Sequence, residues 1–279
     1  CIIPPLSLSD DMRQTIIETT RALAMELDVR GLLNIQYAIK DGKLYVIEVN
    51  PRASRTVPFV SKTTGVPLAK VAVRVMLGGR LADLGLTEMK KVPFVSVKEA
   101  VLPFNKFPGV DTLLSPEMKS TGEVMGISKN FGESYYKATL AAGDSLPVKG
   151  TVLISVNSRA REEILEGVRS LHEAGFRLMA TEGTAQYYIE LGIPCGQVHK
   201  VSEGRPNIID LIKNNEVDMI INTPSGKISK DDSYLIRQAA VRYHVPYMTT
   251  VQAARAAIFG LLEIRRTGGI MIRPIQEYH

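Results

Sequence analysis

Gln36, Glu48 and Asn50 carry oxygen donors, and two arginines, Arg52 and Arg55, follow them directly in the chain. One carboxylate beside amide oxygens suits a hard cation such as Mg²⁺, which takes one or two protein carboxylates and leaves its other positions to phosphates and water. Planar arginine forks next to such a group suit phosphate oxygens. The stretch that must position these groups is GLLNIQYAIKDGKLYVIEVNPRASR, from Gly31 to Arg55. It reads as two short strands joined at Asp41-Gly42 and stopped at Pro51.

Cross-strand neighbours share a face, so the pairing decides what the donors meet. Pairing Lys40 with Leu44 sets Gln36 opposite Glu48 and brings Asn34 near Asn50, on a face that also holds Ala38 and Val46. Ile35, Tyr37, Ile39, Tyr45, Ile47 and Val49 then form an apolar face, expected to be core. A two-residue turn pairing Lys40 with Lys43 instead sets Glu48 opposite Ile35 and mixes the faces, which counts against it. Asp-Gly is nevertheless the usual signal for that shorter turn. From the residues alone, the pattern fits equally a ligand face and an edge hairpin with a solvated polar side.

Gln-x11-Glu-x-Asn-x-Arg on such a hairpin, continued as RTVPFVSKTTGVPLAKVAVRVM, resembles the end of an ATP-grasp domain. It is most similar to the second ATP-grasp half of the carbamoyl phosphate synthetase large-subunit family. The resemblance implies that Gln36, Glu48 and Asn50 hold the Mg²⁺ or Mn²⁺ ions that bridge the phosphates of ATP. It also implies that Arg52 and Arg55 contact those phosphates or a phosphorylated intermediate.

With 279 residues, 45% of them apolar and 23% charged, the chain has the size of about two ordinary domains and can bury real cores. No apolar run reaches the ~18 residues that a bilayer span needs, and no signal-peptide pattern opens the chain. The expectation is therefore a cytoplasmic protein without membrane association. Two cysteines, Cys1 and Cys195, lack the spacing of a zinc site or a disulfide framework. The net charge of +5 is scattered and no nucleic-acid motif occurs, so anionic small molecules are the expected partners. Walker A, GxGxxG and HExxH are all absent. A start at Cys1 on a strand-like CIIPP reads as a fragment or processed piece.

Ser9 with Asp10 and Asp11 reads as a helix start, continued by Met12, Ile16, Leu23 and Leu27 up to Asp28. Pro67 and Gly78-Gly79 bracket a second helix through Ala72 and Val75. From Val92 to Gly143, prolines and short β-rich runs read as extended structure followed by a helix near Glu133–Ala142. FNKFPGVD and PEMKSTGEVMG within it continue the resemblance. In the same family, Glu99 falls at the amino-acid activator site of some bacterial members. A solvated glutamate at a strand end explains it as well.

AGDSLPVKG reads as a linker. Beyond it strands alternate with helices: Thr151–Val156, Arg161–Glu173, FRLMA, Thr184–Leu191, Val198–Val201, Asn207–Asn215, VDMIIN, Asp231–Tyr243, PYMT and Val251–Leu262. That alternation predicts a doubly wound parallel sheet, with ligands expected outside the carboxyl ends of its strands. Thr181-Glu182-Gly183-Thr184, Lys200 and Asn222-Thr223-Pro224-Ser225-Gly226 fall at those ends and together describe a phosphate pocket. Singly, the threonines read as helix caps and Lys200 as a surface charge.

ATEGTA, KVSEGRPNIIDLI and INTPSG resemble the methylglyoxal-synthase-like domain that ends the same synthetase family, where it is an allosteric module for nucleoside monophosphates such as UMP or IMP. By position, the implied phosphate contacts are Arg161, Thr181, Thr184, Lys200 and Asn222. Pro224 stands where some bacterial members have a threonine. Gly204-Arg205-Pro206 stands where methylglyoxal synthases carry an acidic residue, so enolising a triose phosphate is not expected.

The expected architecture is therefore α/β. Residues 1–143 are expected to be the C-terminal portion of an ATP-grasp (α+β) domain, and residues 144–279 a doubly wound methylglyoxal-synthase-like domain. The resemblance implies an ATP-grasp ligase phosphorylating carbamate for pyrimidine and arginine biosynthesis. It further implies an oligomer with a glutaminase small subunit and the remainder of the large subunit as partners. The fragment alone is expected to be inactive. The competing reading is an isolated nucleoside-monophosphate-binding module without catalysis. Another carboxylate-activating ATP-grasp ligase is disfavoured, because such ligases do not usually end in this second domain.

Overall fold

The structure, a computed structural model, describes residues 1–106, 112, 118–223 and 227–279. It divides into two compact units, Cys1–Ser96 with Ile272–His279, and Val97–Met271.

The first unit contains β1 (Ile2–Ile3), α1 (Asp10–Glu26), β2 (Asn34–Lys40), β3 (Lys43–Asn50), α2 (Thr56–Thr64) and α3 (Leu68–Met76). Ser9 caps α1 as expected, its hydroxyl accepting from the Met12 N–H at 3.2 Å. Pro67 occupies the N-cap of α3. β2 and β3 form an antiparallel hairpin, and its pairing corrects the expected register in part. Lys40 pairs with Lys43, Ile39 with Leu44, Ala38 with Tyr45 and Tyr37 with Val46, which is the shorter turn. Asp41 and Gly42 both sit at positive φ, 52° and 72°, the backbone that a two-residue hairpin turn demands. The register then shifts between Gln36 and Tyr37, so that Gln36 pairs with Glu48, Ile35 with Val49 and Asn34 with Asn50. Ile47 is the extra residue of a β-bulge. The bulge reconciles the turn that Asp-Gly prefers with the donor pairing expected at the other end.

The expected apolar core face does not hold along its whole length. Ile35, Tyr37 and Val49 are half-buried, with the Tyr37 hydroxyl 2.8 Å from Thr20 of α1, whereas Ile39, Tyr45 and Ile47 are exposed. Near the turn the shorter register moves Tyr45 to the other face and brings Val46 opposite Tyr37.

The second unit begins with β4 (Val95–Val101, entering from the first unit) and β5 (Gly122–Ser128), neighbours in one sheet, and α4 (Phe131–Ala142). Then come β6 (Thr151–Val156), α5 (Ser158–Glu163), α6 (Leu165–Glu173), β7 (Arg177–Thr181), α7 (Glu182–Glu190) and β8 (Gly196–Val198). α8 (Ile208–Lys213), β9 (Met219–Thr223), α9 (Lys227–Arg242), β10 (Tyr247–Met248) and α10 (Val251–Thr267) complete it. The single helix expected over Arg161–Glu173 is two helices meeting at Ile164.

The five strands β6 to β10 form a parallel sheet in the order β10-β9-β6-β7-β8. Alternate residues feed two cores. Val152, Ile154, Ala180 and Ile221 pack with Val168, Tyr188 and Leu261 on one side, while Leu153, Met179 and Ile220 pack with Ile208, Ile212 and Ile236 on the other. Val152, Leu153 and Ile154 are fully buried, each contributing roughly 1.5–3 kcal/mol of apolar transfer as an upper bound. Burial on both faces is what makes these strands read as continuous apolar runs.

Candidate functional site

The strand order reverses at β6: the chain winds outward through β7 and β8, then returns to β6's other side for β9 and β10. Crossovers diverge there to opposite faces and leave a crevice at the carboxyl ends of β6 and β9, the place where doubly wound sheets bind ligands. A cleft of about 360 Å³ opens at that point. Thr181 at the end of β7, Thr223 at the end of β9, Lys200, Ser202, Asp232 and Ser233 present polar groups to it, and Val156, Ile208 and Ile236 supply apolar wall. A polar end with hydroxyls and a lysine, opposite an aliphatic wall, can receive an anion joined to a flat apolar body.

Of the five residues implied for phosphate binding, Thr181 and Lys200 line the cleft. Thr181 is also the N-cap of α7, but its side chain makes no cap hydrogen bond. The other three build the surrounding walls. Thr184 is buried and donates its hydroxyl to the Val156 carbonyl at 3.3 Å. Asn222 is 1% exposed and donates Nδ2 to the Ser155 carbonyl at 3.2 Å, pinning β9 to β6. Its Oδ1 finds no partner among the described residues, nor does the buried Thr223 hydroxyl. Arg161 reaches from α5 to α7, donating to the Gly183 carbonyl and stacking over the Tyr187 ring at 4.6 Å.

Lys200 is engaged by its own loop. Its Nζ pairs with Glu203 Oε1, and its backbone N–H donates to Glu203 Oε2 at 3.1 Å. These hydrogen bonds hold the Glu203 carboxyl below the usual carboxylate range. Glu203 also lines the cleft, one residue before the Gly204-Arg205-Pro206 run. A carboxylate made less basic in this way is poorly suited to abstracting a carbon-bound proton. Asp232 accepts from the Ser202 hydroxyl at 2.9 Å. Thr223 lies in a strand end expected to help form a phosphate pocket, whereas Ser202, Asp232 and Ser233 were not anticipated from sequence. Thr223 sits in the recognised INTPSG run, whereas Asp232 and Ser233 lie on α9 and meet the cleft only through the sheet order. Pro224 and its neighbours to Gly226, like the run 107–111 within FNKFPGVD, lie outside the described residues.

In the first unit, the corrected register places Gln36 directly opposite Glu48 and Asn34 opposite Asn50. Asn50 Nδ2 donates to Glu48 Oε1 at 2.8 Å, and the Arg52 N–H donates to the Asn50 carbonyl at 2.8 Å, folding the chain sharply out of β3. Glu48 Oε2 and Asn50 Oδ1 make no hydrogen bond among the described residues, which leaves one carboxylate and amide oxygens together on the exposed face. That donor set fits a hard cation shared with phosphates. Among the described residues no cluster of three His, Cys, Asp or Glu side chains offers a self-sufficient metal site. Arg52 and Arg55 are exposed in the bend, Arg55 immediately preceding α2.

Glu99, on β4, is half-buried, and that burial, reinforced by the negative charge of Asp144, raises its carboxyl above the usual range. Lys98, beside it in sequence, pairs with Glu123 at 2.7 Å. Among the described residues no helix is long and apolar enough to cross a membrane.

The hairpin falls wholly, and the cleft in large part, within recognised sequence. Residues 2–84 match the family described as "Carbamoyl-phosphate synthase L chain, ATP binding domain", and residues 163–249 match the "MGS-like domain". Along its entire length the chain is 54% identical to the carbamoyl phosphate synthase large chain of Archaeoglobus fulgidus and 54% identical to that of Methanothermobacter thermautotrophicus. The chain belongs to the carbamoyl phosphate synthase large-chain family. It spans 26% of the length of these large-chain relatives. A methylglyoxal synthase from Elizabethkingia anophelis aligns with 40% of this chain and 79% of its own, at 16% identity and a TM-score of 0.34, and carries no functional weight.

Proposed function

We propose that this chain supplies two working parts of a carbamoyl phosphate synthetase. The hairpin contributes Gln36, Glu48 and Asn50 to Mg²⁺ or Mn²⁺, and Arg52 and Arg55 to the phosphates of ATP, in the phosphorylation of carbamate. Bound metal ions neutralise phosphate charge. The chain's own residues orient that charge: Asn50 holds Glu48, and the bend at Arg52 sets both arginines directly after the strand that carries the carboxylate. Positioning and electrostatic stabilisation are nearly all that phosphoryl transfer asks of a protein.

The cleft at the β6/β9 switch point is read as a regulatory site for a nucleoside monophosphate such as UMP or IMP. Thr181 and Lys200 face the phosphate, while Arg161, Thr184 and Asn222 hold the loops that present them. The division between the two modules is proposed at residues 143 and 144, after α4. Glu99 is proposed for an amino-acid activator, whose ammonium would relieve the cost of a buried carboxylate. The remainder of the large subunit, a glutaminase small subunit, an oligomeric assembly and a cytoplasmic setting belong to the same reading.

The observation that carries it is the Gln36–Glu48 pairing restored by the bulge at Ile47. An ordinary edge hairpin has no need to break its register in order to bring these donors together. Steady-state ATP turnover tests the proposal. The 279-residue chain alone is expected to show no bicarbonate- or carbamate-dependent turnover. Glu48→Gln in the complete synthetase is expected to abolish carbamate-dependent turnover. Full activity of that variant overturns the hairpin assignment.

A further inference from the structure

Strands β6, β7 and β9 each send one row of side chains to the face of the sheet that α8 and α9 cover. Leu153, Met179 and Ile220 belong to that row and pack with Ile208, Ile212 and Ile236. Side chains two positions apart share a face, so Ser155, Thr181 and Asn222 continue the row to the carboxyl edge. There Ile208 and Ile236 also wall the cleft, which places Asn222 on the cleft's side of β9. Its Nδ2 is committed to the Ser155 carbonyl, while its Oδ1, on a side chain 1% exposed, finds no partner among the described residues. An amide oxygen can only accept. Phosphate oxygens, acceptors themselves, give it nothing, whereas a cation does.

The charges around the cleft point the same way. Among the described side chains that line it, Lys200 stands against two carboxylates, Glu203 and Asp232. One short loop draws the two acids together: Ser202, the residue before Glu203, donates its hydroxyl to Asp232 Oδ2 at 2.9 Å. Lys200 is already paired with Glu203. A phosphate that takes Lys200 leaves both carboxylates in a cleft that has just gained negative charge, and a second phosphate sharpens the conflict. Carboxylate, amide and hydroxyl oxygens are the ligands of a hard divalent cation. The buried Thr223 hydroxyl, without a partner among the described residues, adds another such oxygen at the same edge. No three His, Cys, Asp or Glu side chains group into a self-sufficient metal site among the described residues, so the cation must draw its other ligands from phosphate and water.

We propose that the cleft binds a nucleoside diphosphate together with a divalent cation, which Glu203 and Asp232 hold from the loop and α9 and Asn222 Oδ1 supports from the end of β9. The cation bridges the two carboxylates to the phosphates, while Thr181 and Lys200 meet phosphate oxygens directly. This rests on reading the cleft as a nucleotide site. It widens the ligand class from a monophosphate, which lacks the second phosphate to share a cation, to a Mg²⁺-bearing diphosphate.

The test uses the complete synthetase, titrated calorimetrically with UMP and with UDP, each in EDTA and in millimolar Mg²⁺. Wild type is compared with Asp232→Asn, Glu203→Gln and Lys200→Ala. In wild type, Mg²⁺ is expected to tighten UDP binding about tenfold and to change UMP binding by no more than about twofold. Asp232→Asn and Glu203→Gln are expected to lose most of the Mg²⁺ gain for UDP while still binding UMP in EDTA, which also reports that both variants fold. Lys200→Ala is expected to weaken both nucleotides. A UDP affinity that Mg²⁺ leaves unmoved in wild type overturns the cation site without recourse to any variant. So does a Mg²⁺ gain that survives in both carboxylate variants, which places the cation elsewhere in the enzyme. UMP binding that is Lys200-dependent beside UDP binding that ignores Mg²⁺ sinks the cation alone. UMP and UDP binding untouched by Lys200→Ala sinks the nucleotide reading of the cleft, and the cation site with it.

Discussion

On the proposed reading of the cleft, Lys200 and Glu203 make its affinity for an anion a competition. Lys200 is 51% exposed and Glu203 37%, so their ion pair is well solvated and contributes about 0–1 kcal/mol. A phosphate replacing Glu203 on Lys200 forms a charge-assisted hydrogen bond worth about 1.5–3 kcal/mol. Subtracting the pair leaves roughly 1–2 kcal/mol of net affinity through Lys200, a factor of about 5–30. Lys200→Ala is therefore expected to weaken UMP binding by about that factor in titration calorimetry. Glu203→Gln, which keeps the size and removes the competing charge, is expected to tighten it about two- to fivefold. The sign of the pH effect follows from the same pair. Glu203's carboxyl lies below its ordinary value, so the pair's contribution is present above the usual carboxylate range and lost as pH falls through the depressed value. Across about pH 6–8 Glu203 stays ionised, and only substitution, not titration, frees Lys200. Weaker UMP binding in Glu203→Gln, or an affinity unmoved by both substitutions, would refute this account of the cleft.

Four stability predictions address the scaffold. Gly126→Ala drives a Cβ into the Ser134 carbonyl and the Ala138 amide where α4 lies on β5, and it is expected to cost about 3 kcal/mol or more in urea unfolding. Gly42→Ala meets open space, so only the positive φ of 72° opposes it, and about 1–2 kcal/mol is expected. Equal costs at the two positions would contradict the packing argument. Asn222→Ala removes the pin to the Ser155 carbonyl and is expected to cost about 1–3 kcal/mol, read from the same unfolding midpoint. Glu99 works in the opposite sense to Glu203. Its raised folded-state value makes its contribution present below the usual carboxylate value and lost as pH rises through the raised one. Glu99→Gln should accordingly raise the urea midpoint at about pH 7 and make no difference near pH 4; a lower midpoint at neutral pH would contradict it.

Much of this protein was legible because its signals are local. Ser9 before two aspartates, Pro67 ahead of LAKVAVRVM, and continuous apolar runs such as TVLISV each carry their reason within a few residues. The alternation of strands and helices after Gly150 was enough to predict a parallel, doubly wound sheet and to direct attention to the carboxyl ends of its strands. The pairing of Gln36 with Glu48 was also legible, from the matching of polar faces.

Tertiary structure decided what depends on competition or on distance. The turn at Asp41-Gly42 and the facing of the donors favour different registers, and only the energies of the paired strands could resolve them, by extruding Ile47. Sheet order, which no local pattern encodes, brought Asp232 of α9 into one cleft with Thr181, Lys200 and Thr223, and assigned Asn222 and Thr184 to its walls. α2 went unread for the same reason. Its nine residues have no side-chain cap from Arg55 at the N-cap, and the donor to the Lys62 carbonyl in its last turn comes from His279, far along the chain.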